Sequence, residues 1–230
     1  MAETFRRQFE MSWIHHENAL DGVVLTEQEL VQALEHQVVG DASLMSVVTS
    51  IRNHHAALDF VRTKAGQRRN RPNLPLLEEI YKLLARGNPR STRLYRQDTP
   101  IHRTYSHEIA APDQIEEGLE KLFKALASAE FKEYHPIRQA AHAHWQFMQV
   151  FPFADHNGRV ARLLQTFYLL RAGYPPAIIH QVDRQRYHDA LRQPPTSLRR
   201  LLVEALDNSL LSSIRWVERL AEEAQQRTGS

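Results

Sequence analysis

The stretch Val150–Arg162 holds the residues of this sequence that are best suited to bind an anion. It reads VFPFADHNGRVAR. Gly158 gives the backbone the freedom to turn its amides toward a ligand, where a loop enters a predicted helix. A helix start presents N–H groups without intrahelical partners and the positive end of the helix dipole. Arg159 and Arg162 stand three apart and share one face of the first turn, so these groups together could hold a polyphosphate.

Chemistry alone leaves two interpretations of this stretch open. In the first, the helix start binds phosphates and Asp155, just before the turn, offers a hard oxygen ligand to a divalent cation. In the second, the stretch is an ordinary helix cap, and Arg159 and Arg162 face solvent. The types and spacing of the residues do not decide between them.

The elements that must position this loop are predicted to be helices. Thr26 and Glu29 have the form of a capping box, three residues apart. Apolar residues then recur at helical spacing, which predicts about eight helices in an all-α fold. The further helices are expected over residues 43–62, 76–85, 113–129, 136–150, 159–172, 183–192 and 197–224. Residues 64–75 have the composition of a loop, and residues 87–113 are β-prone, which predicts a loop or small hairpin.

Composition places the chain among ordinary globular proteins. It has 230 residues, of which 42% are hydrophobic and 24% charged, and this length predicts one domain with a small N-terminal extension. Cysteine is absent, which excludes disulfides and thiolate zinc sites and favours a cytoplasmic protein. The sequence contains no apolar run long enough to predict a membrane span, and its first residues do not have the apolar region of a signal peptide. The net charge of +2 and the lack of a basic recognition helix do not favour nucleic-acid binding.

The anion-binding stretch resembles the signature of the Fic (Fido) family, His-x-Phe-x-(Asp/Glu)-Gly-Asn-Gly-Arg-x-x-Arg. Six positions match in register, namely Phe153, Asp155, Asn157, Gly158, Arg159 and Arg162. The flanking segments 135–144, 162–164, 171–176 and 183–191 resemble the helices around that signature. Upstream, residues 18–26 resemble the family's N-terminal inhibitory helix. The resemblance covers most of residues 15–215, and from it the chain is identified as a member of the family.

This resemblance implies a fold and an activity. The fold would be an all-α, Fic-type helical bundle with a small β-hairpin flap near 90–108. The activity would be transfer of AMP from ATP, with Mg²⁺, to protein hydroxyls. Residues 1–40 would form an N-terminal helical extension with an altered inhibitory motif, and residues 41–230 the core domain. The flap would hold a segment of the target protein by strand pairing. The sequence leaves the oligomeric state open, a homo-oligomer included.

The resemblance also implies roles for single residues. Asn157, Gly158, Arg159 and Arg162 would bind the phosphates, and Asp155 the metal. Asp21 and Gly22 stand where the inhibitory motif has Glu-Gly, and Asp21 would pair with Arg162 and compete with the γ-phosphate of ATP. Asp21 is one methylene shorter than glutamate, which leaves open whether it reaches Arg162. The alternative is a plain turn residue before Gly22.

Two positions depart from the signature. Phe151 stands where the family has its catalytic histidine, the general base, and phenylalanine cannot accept a proton. Because a base contributes on the order of 10² to 10⁴ in rate, AMP transfer should be weak, lost or altered. The alternative is that Phe151 simply fills the core. His156 replaces the first glycine and could be a displaced base, a phosphate contact or a metal ligand, or a solvent-facing loop residue. It would be strained if its φ is positive.

Two hypotheses of function therefore stand. In the first, the chain is a nucleotide-binding Fic protein on an adenylyltransferase scaffold with reduced or changed AMP transfer. In the second, it is an inactive pseudoenzyme that acts as a regulatory or scaffolding protein-binding module. Binding of ATP without transfer of label would favour the second.

Overall fold

Ten α-helices make up most of the computed structural model, which describes residues 2–35, 42–88, 93–100 and 108–228. They are α1 (Ala2–Leu20), α2 (Glu27–Leu34), α3 (Ala42–Gly66), α4 (Leu74–Ala85), α5 (Ile115–Ala127), α6 (Ala129–Glu133), α7 (Pro136–Val150), α8 (Asn157–Arg171), α9 (Arg184–Leu191) and α10 (Pro195–Thr228). Two 3-10 helices cover Pro112–Gln114 and Gln181–Asp183. The described residues form no sheet, so the predicted all-α fold is confirmed.

Helix α8 lies at the centre of the bundle. It packs along α7 and against α3 and α4, and its residues from Asn157 to Leu169 are all buried. A helix that is covered on every side carries its polar residues into the interior, where they need partners. The arginines at the start of α8 are therefore interior residues.

The N-terminal helices belong to the same apolar core. Trp13 and Ile14 of α1 and Leu30 of α2 are buried in one cluster with residues of α3 and α8. The boundary expected at residue 40 lies outside the described residues. None of the helices in the described ranges has the length and apolarity that crossing a bilayer requires.

Helix α1 ends in a defined turn. Gly22 has φ of +85°, a conformation in which glycine has no steric penalty. The amide of Val23 donates to the carbonyl of Asn18 at 3.0 Å, and that of Gly22 to Ala19 at 3.0 Å, the pair of bonds of a Schellman motif. The turn fixes where the chain leaves α1, and so fixes Asp21.

Several predicted boundaries were wrong by a turn or less. The helix expected over 113–129 opens with a 3-10 turn and stops at Ser128, whose hydroxyl accepts from the amide of Phe131 at 3.1 Å and starts α6. Helix α3 continues to Gly66, into the predicted loop, and α8 begins at Asn157. The two helices beyond the expected eight are α6, which was predicted as part of the helix over 113–129, and α1, which precedes the first helix predicted from periodicity.

The flap expected near 90–108 lies partly outside the described residues, which here comprise 93–100 and 108. Within them, Tyr95 forms an isolated antiparallel bridge with Phe153. The amide of Arg96 donates to the carbonyl of Pro152 at 3.1 Å, and that of Ala154 to Leu94 at 3.1 Å. The segment therefore pairs with the signature loop, defined here as residues 151–156.

Candidate anion-binding site

Two arginines of α8 meet one carboxylate at the end of α1. Arg159 and Arg162 are only 5% and 1% exposed, so the interpretation in which they face solvent is wrong. Asp21 Oδ2 accepts from Arg159 Nε at 2.7 Å, and Oδ1 accepts from Arg162 Nη2 at 3.0 Å. The shorter aspartate arm does reach Arg162, and it bridges to Arg159 as well, a contact that the sequence did not predict.

A second carboxylate, Glu17, also holds Arg162. Its Oε2 accepts from Arg162 Nε at 2.6 Å, and its backbone carbonyl accepts from Nη2 at 3.2 Å. Glu17 is 3% exposed. This role of Glu17 was not predicted from the sequence, although Glu17 and Asp21 stand four residues apart, the spacing of neighbours along a helix. That spacing of two acids was the available signal.

Neutral partners occupy the other ends of both guanidiniums. Arg159 Nη1 donates to Ser50 Oγ at 3.2 Å, and its Nη2 to Asn18 Oδ1 at 2.9 Å. Arg162 Nη1 donates to Tyr187 Oη at 3.2 Å. Both guanidinium planes are thus fixed by α1, α3 and α9 together.

Tyr187 is itself held in place by a buried polar network. Its hydroxyl lies 3.0 Å from Nε2 of His144, and Nδ1 of His144 lies 2.7 Å from Oε1 of Gln165. Such fully paired interior networks restrict side chains to one arrangement. The position of Arg162 therefore depends on residues of α7, α8 and α9 as well as on α1.

The buried charges perturb one another's pKa values. Burial raises the pKa of Glu17, and Arg162 offsets only part of that effect. Burial alone would also raise the pKa of Asp21, but Arg162 and Arg159 outweigh it and hold that pKa below its usual range. Burial opposes the charge of Arg162, yet Asp21 and Glu17 raise its pKa well above the ordinary value.

Gly158 makes room for this arrangement. A Cβ at Gly158 would lie 3.0 Å from Arg162 Nη1 and 3.4 Å from Asp21 Oδ1. The missing side chain lets the Asp21 carboxylate approach the start of α8, which is where an anion binds to a helix. A carboxylate therefore lies at the start of α8 between the two guanidiniums of Arg159 and Arg162.

The side chain of Asn157 serves the loop itself. Its Oδ1 accepts from the amide of Phe153 at 2.9 Å, and its Nδ2 donates to the carbonyl of Phe153 at 2.8 Å. Asn157 thereby closes the turn that leads into α8. In this structure it positions the loop and does not face Asp21.

His156 and Asp155 form the tip of the signature loop. His156 has φ of 55°, the left-handed conformation, so a side chain does stand where glycine would be unstrained. Burial lowers its pKa. Its Nε2 lies 3.7 Å from Asp155 Oδ2, which accepts from Asn88 Nδ2 at 3.2 Å. The Asp155 carboxylate is a hard oxygen ligand of the kind that suits Mg²⁺.

Phe151 closes the C-terminal end of α7. It has φ of 49° and is 6% exposed, within the apolar core. The side chain of Arg96, which the sequence analysis did not single out, donates to its carbonyl at 2.6 Å and to that of Val150 at 3.3 Å. The same guanidinium donates to the carbonyl of Ala110. It therefore ties the flap segment to the loop.

Comparison with known proteins agrees with this fold. The Fic/DOC family profile matches residues 72–169. Over residues 72–169 the chain therefore matches a Fic domain. Its Fic domain resembles that of a Fic domain-containing signaling protein from Bacteroides thetaiotaomicron, with a TM-score of 0.76 and 21% identity over 92% of this chain and 90% of that one. Fic-1 from C. elegans gives a TM-score of 0.77 with 22% identity, over 93% of this chain and 64% of that one.

A curated relative extends the comparison to sequence. The protein adenylyltransferase Fic of Nematostella vectensis is 29% identical over 181 residues, which is 78% of this chain and 42% of that protein. This chain therefore spans less than half the length of that curated relative.

Proposed function

We propose that this chain is a nucleotide-binding Fic protein on an adenylyltransferase scaffold, in which ordinary AMP transfer is weak, lost or altered. One observation carries the proposal, namely the Asp21 carboxylate held at the start of α8 by Arg159 and Arg162. A carboxylate there mimics a bound phosphate. ATP with Mg²⁺ is the proposed ligand, and the relatives named as protein adenylyltransferases support that class.

The loop residues then take distinct roles. Asp155 holds the cation, and the backbone of Gly158 with Arg159 and Arg162 binds phosphate once Asp21 leaves. Phe151 supplies no base. His156 is the candidate displaced base, since a lowered pKa keeps its imidazole neutral and able to accept a proton at neutral pH.

The N-terminal segment is proposed to restrain the site. Residues 1–40 form the regulatory extension, whose Asp21 and Gly22 close the anion position, and residues 41–230 form the core. A target segment docks at the flap near 90–108, where Leu94 and Arg96 already pair with the loop backbone. The cytoplasmic location stays a prediction from composition.

A second candidate is a catalytically inactive pseudoenzyme that acts as a regulatory or scaffolding module. The burial of Phe151 favours it, because the aromatic ring fills the apolar core at the position of the missing base. In that case the nucleotide stabilises a protein-binding conformation and is not consumed.

The test is a melting experiment with ATP and Mg²⁺, in parallel with transfer of label from the α-phosphate. Saturation at 100 times Kd should stabilise the fold by about 2.7 kcal/mol. Arg159→Ala should abolish the shift, whereas Arg200→Ala, an exposed arginine of α10, should keep it. A shift without label transfer supports the binding module. No shift in either the wild type or Asp21→Ala would overturn the nucleotide site.

A further inference from the structure

We propose that Glu17 is a specificity determinant that makes this site favour a nucleoside diphosphate over a triphosphate. The inference rests on the nucleotide site proposed above and adds which nucleotide the site prefers. It follows from how the donors and charges around Asp21 are distributed.

Arg162 is bound mainly by residues other than Asp21. Its Nε and one Nη2 bond go to Glu17, and Nη1 donates to Tyr187. Arg162 donates four hydrogen bonds to Glu17, Tyr187 and Asp21 together, and one of them, from Nη2, goes to Asp21. When Asp21 leaves, Arg162 therefore offers one N–H that had been paired with it.

Arg159 is in the same situation. Its Nη1 and Nη2 are held by Ser50 and Asn18, and only Nε points to Asp21. The two released N–H groups converge on the place of one carboxylate, with one oxygen bound by each. These two N–H groups can bind one terminal phosphoryl group, whose neighbour in the chain can then meet the amides at the start of α8.

Glu17 remains in the site when Asp21 moves. It lies within α1, is almost completely buried, and is bound to Arg162 through both its side chain and its backbone carbonyl. Asp21 lies beyond the last residue of α1, its side chain is 20% exposed, and Gly22 follows it with a positive φ. A rotation about this turn removes Asp21 without unwinding α1.

The vacated site therefore carries one net positive charge, from two guanidiniums and the Glu17 carboxylate. A neutral residue at position 17 would leave two. A triphosphate brings one more negative charge than a diphosphate into this buried region, so Glu17 penalises the triphosphate. At the effective dielectric constant of protein sites, one unit charge about 4 Å from a ligand charge changes the affinity of the ligand by about tenfold or more.

The experiment uses the full chain with Asp21→Ala, which vacates the anion position. Affinities for ADP and ATP, each with Mg²⁺, are measured by isothermal titration calorimetry. We expect ADP to bind at least as tightly as ATP. Adding Glu17→Gln should then shift the ratio about tenfold toward ATP. The matched control is Glu3→Gln, an exposed glutamate of the same helix, which should leave the ratio unchanged.

The outcomes separate this inference from the proposed function. The inference is overturned if the Asp21→Ala variant binds ATP more tightly than ADP. That measurement needs no substitution of the buried Glu17. A ratio that Glu17→Gln leaves unchanged, in a protein with a cooperative melting transition, overturns it as well. Failure of both nucleotides to bind any variant refutes the nucleotide site itself.

Discussion

Asp21 Oδ1 and Arg162 Nη2 lie 3.0 Å apart, although the two residues are separated by 141 positions in the sequence. This contact joins the end of α1 to the first turns of α8. Because Arg159 shares the same carboxylate, the N-terminal helix is fastened to both arginines that would meet a phosphate.

Replacing Asp21 with alanine should tighten ATP binding by about tenfold or more, because a charge-assisted contact worth roughly 1.5–3 kcal/mol no longer has to be broken. Without ligand, the variant should be less stable by about 3 kcal/mol, since two buried arginines lose a partner. Calorimetry and urea unfolding measure the two effects. Asp207→Ala, at an exposed aspartate of α10, is the control. Unchanged ATP affinity in a folded variant would mean that α1 does not restrain the site.

Restoring a base at position 151 should create or raise AMP transfer. Phe151→His places an imidazole at the end of α7, and histidine is among the residues that tolerate the left-handed backbone found there. The gain should be on the order of 10² or more, and it should be largest together with Asp21→Ala. Transfer of label from the α-phosphate of ATP is the measurement.

The control for this variant is Phe151→Leu, which changes the ring but adds no base. If Phe151→His binds ATP and transfers nothing, another part of the site has also been lost. His156, which stands at a glycine position of the signature with φ of 55°, is then the first residue to revert to glycine.

Stability should fall as the pH falls below about 6.5, because several buried histidines resist protonation. His54 is fully buried, and both its ring nitrogens lack a hydrogen-bond partner among the described residues. Burial, then Arg159 and Arg162, lower its pKa well below 6.5. Burial also lowers the pKa of His16 and His188 to about 4.

The direction of this pH dependence follows from the number of protons that the folded and unfolded chains bind. Between the folded and unfolded pKa values, the unfolded chain binds more protons, so acidification from pH 6.5 toward 4 favours unfolding. Melting temperatures should fall as the pH is lowered through this range, and His54→Phe should flatten the decline. The substitution keeps an aromatic ring against Trp13, whose ring centroid lies 4.9 Å from that of His54. His135→Asn, at an exposed histidine, should not. A decline of equal slope in His54→Phe would rule out this residue as a contributor.

Arg96 should prove important for stability although it lies in the least regular part of the chain. Its buried guanidinium donates to backbone carbonyls of Phe151, Val150, Ala110 and Asp98. Arg96→Ala leaves those acceptors without this donor and should cost about 2–3 kcal/mol in urea unfolding. Arg93→Ala, at a neighbouring exposed arginine, should lower the free energy of unfolding by less than about 1 kcal/mol, as surface substitutions do. Equal costs would contradict the role of Arg96.

The local part of this site was predictable and the long-range part was not. The turn at Gly158 and the start of α8 can be predicted from the sequence because turns and helix ends need particular residues. The burial of Arg159 and Arg162 does not, because it depends on α8 being covered on all sides, and a pair of arginines three apart looks like a polar surface. Glu17 was missed for the same reason, since its partner lies on another helix.

The flap side was harder still. Arg96 lies in a segment without helical or strand periodicity, and its acceptors are backbone carbonyls, which no sequence pattern specifies. Asp21 could be placed only through the resemblance of residues 18–26 to a known inhibitory helix. Without that resemblance, Asp-Gly would have indicated a turn, which it also forms.

The contact between Asp21 and the arginines has a quantitative consequence for how the site responds to its ligand. Because the carboxylate belongs to the same chain, its effective concentration does not change when the protein is diluted. The apparent dissociation constant of a nucleotide equals the intrinsic constant divided by the fraction of molecules in which Asp21 has left. The response threshold is therefore set by the fold of α1, and a partner that drew Asp21 away would lower that threshold in the molecules to which it bound.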